Sequence, residues 1–231
     1  MIPKTSTIEP QYEHHVELKK LRGLTPLGIE KSAGWHIDPK RLVFVLARYK
    51  FVAKLFSGYG RVLEVGCGDG FPIRIVLQEV TSVHGVDIDP VFIRDIQERH
   101  DDQWPFTFEV HDMLSGPIKD TPFDAAYSLD VLEHIPKQFE NTFLSNLCAS
   151  IHDDAPVIIG MPSLQSQQYA SPLSKVGHVN CKSGDELKST LLGHFKNVFI
   201  FSMNDEVVHT GFHSMAHYLF ALCTGVRRPP V

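Results

Sequence analysis

Three histidines stand where a proton could be taken from a bound molecule: His134 in DVLEHIP, His178 in GHVN and His209 in NDEVVHTG. An imidazole near its ordinary pKa of ~6.5 suits that work. His134 follows a strand-like run closely, and its alternative role is structural or shaping. His178 ends a polar stretch just before a capped helix; it either points into a site or bonds backbone as a loop residue. His209 has Asp205 and Glu206 beside it, which either orient the ring or are solvated. His209, His213 and His217 form an HxxxHxxxH series that on a helix would line up three imidazoles and invite zinc. Gly211 within the series and the strand-like HYLFALC after it argue against a helix, so no metal is expected there.

The strongest pattern is LEVGCGDG at 63–70. Glycines at a strand end let the backbone turn sharply and approach a ligand, while the next helix presents free N–H groups. Asp87, in GVDIDP, follows Gly66 by 21 residues, at the end of the next strand, where an acid accepts from ribose hydroxyls. Asp112, in HDML after a third strand, could accept from an adenine amino group. Each aspartate could instead cap a helix, as Asp89 before Pro90 is expected to do. Two other users of such loops are excluded by residue: none of the tyrosines has a lysine four positions on, and no Gly-Lys-Ser/Thr occurs.

The elements that must hold these residues alternate. Runs at 61–65, 82–86, 106–110, 123–128 and 157–160 read as strands. Between them lie helical patterns: Ile73, Val76, Leu77 and Val80 after Pro72; 90–99; and Phe139, Phe143, Leu144, Leu147 and Ile151. Such alternation implies βαβ units and a parallel sheet covered on both faces. Residues 162–182 are a polar insert, too long for an ordinary connection and placed to cover a site. Ser183 and Glu186 have capping-box spacing and start a helix carrying Leu187, Leu191 and Leu192. Strands at 198–203 and about 217–224, joined only by a loop, must pair antiparallel. The expected fold is α/β, doubly wound, with a seven-stranded, mostly parallel sheet, an antiparallel last strand, helices on both faces and an N-terminal helical lid. It is read as one domain over 1–231, with a lid or substrate segment at 1–48 and a cofactor-binding core at 49–231.

LEVGCGDG, GVDIDP, HDML and SLDVLEHIP (128–136) resemble the class I S-adenosylmethionine-dependent methyltransferases, in particular their small-molecule branch; the likeness runs from about Tyr49 to the C-terminus and is specific in its first half. The resemblance implies S-adenosylmethionine as cofactor and methyl transfer as activity. By position it implies that Glu64 is cofactor-binding and that Gly66, Cys67 and Gly68 pass along the methionine part. Asp87 would hold the ribose, Ile88 and Met113 would sandwich the adenine, and Asp112 would bind its amino group. Leu129 would lie beside the sulfonium, and Arg48 would meet the cofactor carboxylate. Asp130 could supply a carboxylate to a magnesium-dependent type, but the fifth strand ends in Gly160-Met161-Pro162 where that type has an Asp-Asn pair. Metal-independent transfer, by proximity and in-line attack with perhaps a histidine base, is therefore expected.

Composition limits the remainder. Hydrophobic residues are 43% and charged residues 21% of 231, so a packed core is feasible and disorder is excluded. Four separated cysteines give neither a zinc pair nor a disulfide framework, fitting a reducing, cytoplasmic setting. The longest apolar run, 42–56, is broken by Arg48, Lys50 and Lys54, and the polar N-terminus lacks a signal-peptide core. Residues 1–61 carry 11 basic and 5 acidic side chains, the rest 11 and 22. With a pI near 6.2, nucleic acid is not the expected partner. A small, anionic acceptor such as a sugar nucleotide would use the local cations, and Trp35, His36 and Arg41 suit its ring and charge; Trp35 could equally anchor the lid, with Lys40 and Arg41 solvated. The chain is compatible with a homodimer. An RNA or protein acceptor, or a noncatalytic cofactor-binding subunit, is the alternative.

Overall fold

The computed structural model describes residues 7–99, 103–119 and 122–228. Residues 1–6, the start of the expected lid and of the polar N-terminus, lie outside them. Among the described residues eight strands form one sheet: β1 (Arg61–Val65), β2 (Ser82–Asp87), β3 (Phe106–Val110), β4 (Ala125–Leu129), β5 (Val157–Pro162), β6 (Phe195–Asn204), β7 (Val207–His209) and β8 (Tyr218–Val226). Their order is β3-β2-β1-β4-β5-β8-β6-β7. The first five run parallel. β8 inserts antiparallel between β5 and β6.

The expected doubly wound sheet and final antiparallel pairing are present, with one strand more than expected. β7 folds back on β6 through Ser202↔His209, Met203↔Val208 and Asn204↔Val207. Its two-residue turn, Asp205-Glu206, holds Asp205 at φ 52°. This turn lacks the glycine that usually marks a tight hairpin, and the short strand was hidden for that reason.

Alternation along the strands builds two cores. Val62, Ala125, Tyr127, Ile158 and Phe220 face α3 (Pro39–Leu55), α4 (Ile73–Val76) and α5 (Pro90–Arg99). Leu63, Ala126, Val157, Ile159 and Leu219 face α6 (Glu140–Ala149) and α8 (Gly184–Leu192). Ser183 caps α8 in the expected capping box, its hydroxyl accepting from the Glu186 N–H while the Glu186 carboxylate accepts from the Ser183 N–H.

Several element boundaries differ from expectation, three of them at helices. The helix after Pro72 spans only Ile73–Val76, and Leu77 and Val80 are buried beyond its end. The division at 48/49 falls inside α3, whose Arg48 and Tyr49 are consecutive residues of one helix. Phe139 precedes α6 in a 3₁₀ turn and is exposed, so it does not extend that helix's apolar face.

The basic first quarter is helical: α1 (Glu13–Arg22) and α2 (Ile29–Ile37) precede α3. Among the described residues no helix is long and apolar enough to cross a membrane. α2 begins at Gly28, which offers no capping side chain, so carboxylates of the core satisfy its free N–H groups. The Lys31 N–H donates to Asp69 Oδ2 at 2.8 Å and the Ile29 N–H to Asp95 Oδ2 at 3.3 Å. Gly28 itself has φ 94°, and a Cβ there would come within 2.7 Å of Asp69 and Arg99. α2 is thus fastened to the loop that follows β1.

Candidate active site

A parallel sheet leaves ligands their place at the carboxyl ends of its strands, where neighbouring crossovers diverge. Here that point lies between β1 and β4, which pair from Val62↔Ala125 to Val65↔Ser128. The chain leaves β1 through Gly66 (φ 81°) and Gly68 (φ 51°). A Cβ on Gly66 would meet Val131 Cγ2 at 2.1 Å, so the loop passes against the segment after β4 with no room for a side chain. The Gly66 and Cys67 N–H groups both donate to the Val86 carbonyl of β2, at 2.8 and 3.0 Å.

Asp87 ends β2 and closes the loop. Its Oδ2 accepts from the Gly68 N–H at 2.8 Å and its Oδ1 from the Asp89 N–H at 2.9 Å. Each oxygen retains a further acceptor position. Ile88 beside it is exposed, whereas Met113 is buried in the core with Leu147. Asp112 Oδ1 accepts from the Leu114 N–H at 2.8 Å, so this carboxylate shapes the turn after β3. Asp89 Oδ1 accepts from the Val91 N–H at 2.8 Å, the expected cap of α5. Cys67 is buried, and its thiol is pushed up by desolvation and the nearby Glu64 and Asp87 charges, so it is not a ready nucleophile.

Glu64 lies beneath the loop. Burial raises its carboxyl to about 8, against hydrogen bonds from Tyr49 and Tyr127 and the charge of Lys31. The Tyr49 hydroxyl donates at 2.6 Å and that of Tyr127 at 2.9 Å. Lys31, from α2, is buried with its ammonium 2.7 Å from Glu30 Oε2 and 3.8 Å from Asp69 Oδ1. No sequence pattern pointed to Lys31; only the docking of α2 brings this cation to the loop.

On the β4 side, Leu129 is buried and Asp130 follows it at φ 58°. The Arg48 Nη1 donates to both Asp130 oxygens, at 2.9 and 2.7 Å, and the guanidinium lies 3.9 Å from the Tyr218 ring centroid. Arg48 Nε is buried without a partner. The guanidinium expected to meet a cofactor carboxylate therefore already carries a protein carboxylate.

The two histidines expected at this edge come together. His134 and His178 have ring centroids 5.2 Å apart. Glu133 joins them: donor atoms of Glu133, His134 and His178 all lie within 4.8 Å of one another. Burial and Asp130 raise the Glu133 carboxyl well above the usual range, while burial and His134 lower the His178 imidazole. Residue type and spacing single out the two histidines but not the carboxylate beside His134, which the fold brings to them; the metal-free expectation, drawn from the end of β5, concerns a different position. His209 is placed apart from the pair, on the outer edge strand β7, where its Nδ1 accepts from the Gly211 N–H at 3.0 Å. His213 and His217 lie in a 3₁₀ turn and just before β8, so the HxxxHxxxH series does not form one helix. Trp35, His36 and Arg41 are exposed on α2 and α3.

The insert covers the β4 side through a short 3₁₀ turn, Gln165–Tyr169, and α7 (Pro172–Gly177). It is tied down where the Val179 and Asn180 N–H groups donate to the Glu133 carbonyl, both at 2.9 Å. A cavity of about 470 Å³ opens between Gln165, Tyr169, Asn204 and His217. A larger one, about 610 Å³, lies behind the loop beside Asp69, Arg74 and Trp104. Neither is lined by Asp87 or Ile88; the glycine loop and the Asp87 carboxylate converge apart from both, at the ends of β1 and β2.

Residues 62–153 match the family model described as a methyltransferase domain. The chain is 27% identical over 142 residues to ribosomal RNA small subunit methyltransferase A of Prochlorococcus marinus (strain MIT 9303), covering 60% of this chain and 49% of that relative's length. A SAM-dependent methyltransferase from Thermotoga maritima has the same fold at a TM-score of 0.64 and 16% identity, over 84% of this chain and 94% of the other. The N-methyltransferase NodS from Bradyrhizobium japonicum WM9, solved with S-adenosyl-L-homocysteine, gives 0.60 and 15%, over 86% and 94%.

Two outcomes follow from this geometry. Gly66→Ala is expected to destabilise the protein more than Gly58→Ala: both positions have positive φ, but a Cβ at Gly58 meets nothing within 4 Å. Backbone strain alone is worth about 1 to 2 kcal/mol, and equal shifts of the two unfolding midpoints would contradict the close approach to Val131. Glu64, at about 8 in the fold against an ordinary 4.5, binds its proton more tightly folded than unfolded. Its contribution to stability is complete below the ordinary value and is lost as pH rises through the folded one, at up to about 1.4 kcal/mol per pH unit. Denaturant unfolding at pH 5.5 and 8.5 should show this loss, and Glu64→Gln should reduce it; an unchanged slope in the variant would assign it elsewhere.

Residues 62–153 thus match a methyltransferase-domain model, and the chain, with its glycine loop, the carboxylate ending β2 and the antiparallel β8, has the fold of S-adenosylmethionine-dependent methyltransferases.

Proposed function

We propose that this chain binds S-adenosylmethionine at the ends of β1, β2 and β4 and transfers its methyl group to a small-molecule acceptor held under the 162–182 insert. The observation that carries the reading is Asp87: its carboxylate is fixed by the Gly68 and Asp89 N–H groups and keeps acceptor capacity for two adjacent hydroxyls. The donor set fits the cofactor elsewhere too. Ile88 offers an exposed apolar face for a base. The Arg48 Nε, without a partner among the described residues, offers a donor for a carboxylate.

The bound cofactor supplies a methyl already activated on a sulfonium, so the chain's task is to align the acceptor and exclude water; alignment is worth ~7 to 11 kcal/mol of a barrier. Gly66 and Val131 keep the loop and the post-β4 segment in contact, and the insert fastened to the Glu133 carbonyl closes the acceptor side. The Arg48–Asp130 pair fixes Asp130, and His134 and His178 face the same region with their Nε2 atoms unassigned to protein partners. The surplus of basic residues over 1–61 favours an anionic acceptor, with Trp35, His36 and Arg41 on the lid helices as its candidate contacts. A ribosomal RNA acceptor is the second reading, favoured by the relative that matches over 142 residues; the acidic remainder of the chain weighs against it.

Asp87→Ala is expected to weaken S-adenosyl-L-homocysteine binding about ten- to a hundredfold, the weight of one or two charge-assisted hydrogen bonds. Titration calorimetry reads this directly, and unchanged affinity would refute the ribose assignment. Transfer of labelled methyl to hydroxyl- or amine-bearing metabolites, compared with transfer to ribosomal RNA under the same salt, separates the two acceptor classes. Turnover confined to RNA would overturn the small-molecule reading.

A further inference from the structure

We propose that Glu133, His134 and His178 form a divalent-cation site at the acceptor edge of the groove. Glu133 is 1% exposed, and among the described residues neither of its carboxylate oxygens has a hydrogen-bond partner. A buried polar group without a partner is rare in folded proteins and costly. One ligand atom each from Glu133, His134 and His178 lies within 4.8 Å of the other two.

The histidines are already oriented as ligands. His134 Nδ1 lies 2.9 Å from the Gly177 carbonyl, which only accepts, so Nδ1 carries the hydrogen and Nε2 a lone pair. His178 Nδ1 lies 2.8 Å from Gln167 Oε1 and is fixed in the same sense. A carbonyl or amide oxygen behind each ring is the usual support of a metal-ligating histidine. Gly177 permits the approach, since a Cβ there would sit 3.1 Å from the His134 ring. Gln167, Gly177 and His178 all belong to the insert, so assembling this site gives the insert a definite task.

Two imidazoles and one carboxylate favour zinc, manganese, iron or cobalt over magnesium or calcium. Bonds near ~2.1 Å would bring tetrahedral donors to roughly 3.4 Å separation, a small closure from the observed cluster. Three protein donors leave positions open for an oxygen of the acceptor. On the methyltransferase reading, on which this role rests, the cation lowers the pKa of the acceptor's hydroxyl. Its proton leaves to water, the oxygen's electron pair forms the new bond to the methyl carbon, and the sulfur–carbon pair stays on sulfur. The acceptor would accordingly be methylated on oxygen.

The test uses chelator-treated chain titrated with Mn²⁺, followed by loss of the free-ion electron-resonance signal, with Co²⁺ absorption as a second probe. One tight ion per chain is expected, retained in His209→Ala and weakened at least about tenfold in His178→Ala and Glu133→Gln. Circular dichroism and S-adenosyl-L-homocysteine binding check that each variant is folded, and if Glu133→Gln does not fold, His178→Ala alone decides. No stoichiometric ion in the wild type, or affinity unchanged in a folded His178→Ala, overturns the site. Cofactor binding without ion binding sinks this inference and leaves the proposed function standing. Ion binding without cofactor binding does the reverse.

Discussion

The hydrogen bond from the Gly68 N–H to Asp87, 2.8 Å long, fixes the exit of β1 against the end of β2, and the placement of the groove depends on it. The sheet ladder sets the two strands in register up to Val65↔Val86; beyond that point the chain has no ladder to follow. One carboxylate takes over, holding the glycine loop on one oxygen and the start of the next turn on the other. Once the loop is fixed, Asp69 is in place to receive the N-terminus of α2, and the basic first quarter docks where its lysine meets the loop.

The β4 side is organised by charge. Asp130, at a left-handed backbone position, holds Arg48 from α3 against the Tyr218 ring. Charges in a partly buried setting are worth keeping only when geometry and further hydrogen bonds compensate their desolvation, and here the compensation is incomplete. Among the described residues Arg48 Nε and both Glu133 oxygens lack partners. Polar groups left over at one edge are what a binding site requires, because a ligand can supply the missing bonds.

Much of this was legible in the sequence. The strand-to-helix glycine loop, Asp87 and the capping box of α8 follow from local rules that residue type and spacing obey. The antiparallel final pair followed from connection length alone. What stayed hidden depends on tertiary contact. Lys31 looks like any helix lysine until α2 docks on Asp69. Glu133 looks like a surface acid of a short turn until the insert folds over it and fastens to its carbonyl. The pairing of Arg48 with Asp130 rests on a turn whose positive φ no pattern announces. β7 went unseen because its turn uses aspartate and glutamate where glycine is the usual sign.

The account stands on the claim that the ends of β1 and β2 form a nucleoside site. A crystal structure with S-adenosyl-L-homocysteine tests it most directly. The account predicts the ribose hydroxyls on the Asp87 carboxylate, the base against Ile88, and the amino-acid portion between the glycine loop and Asp130. Ligand density bound elsewhere, for instance in the hollow lined by Asp69, Arg74 and Trp104, with Asp87 free of contact, would contradict it.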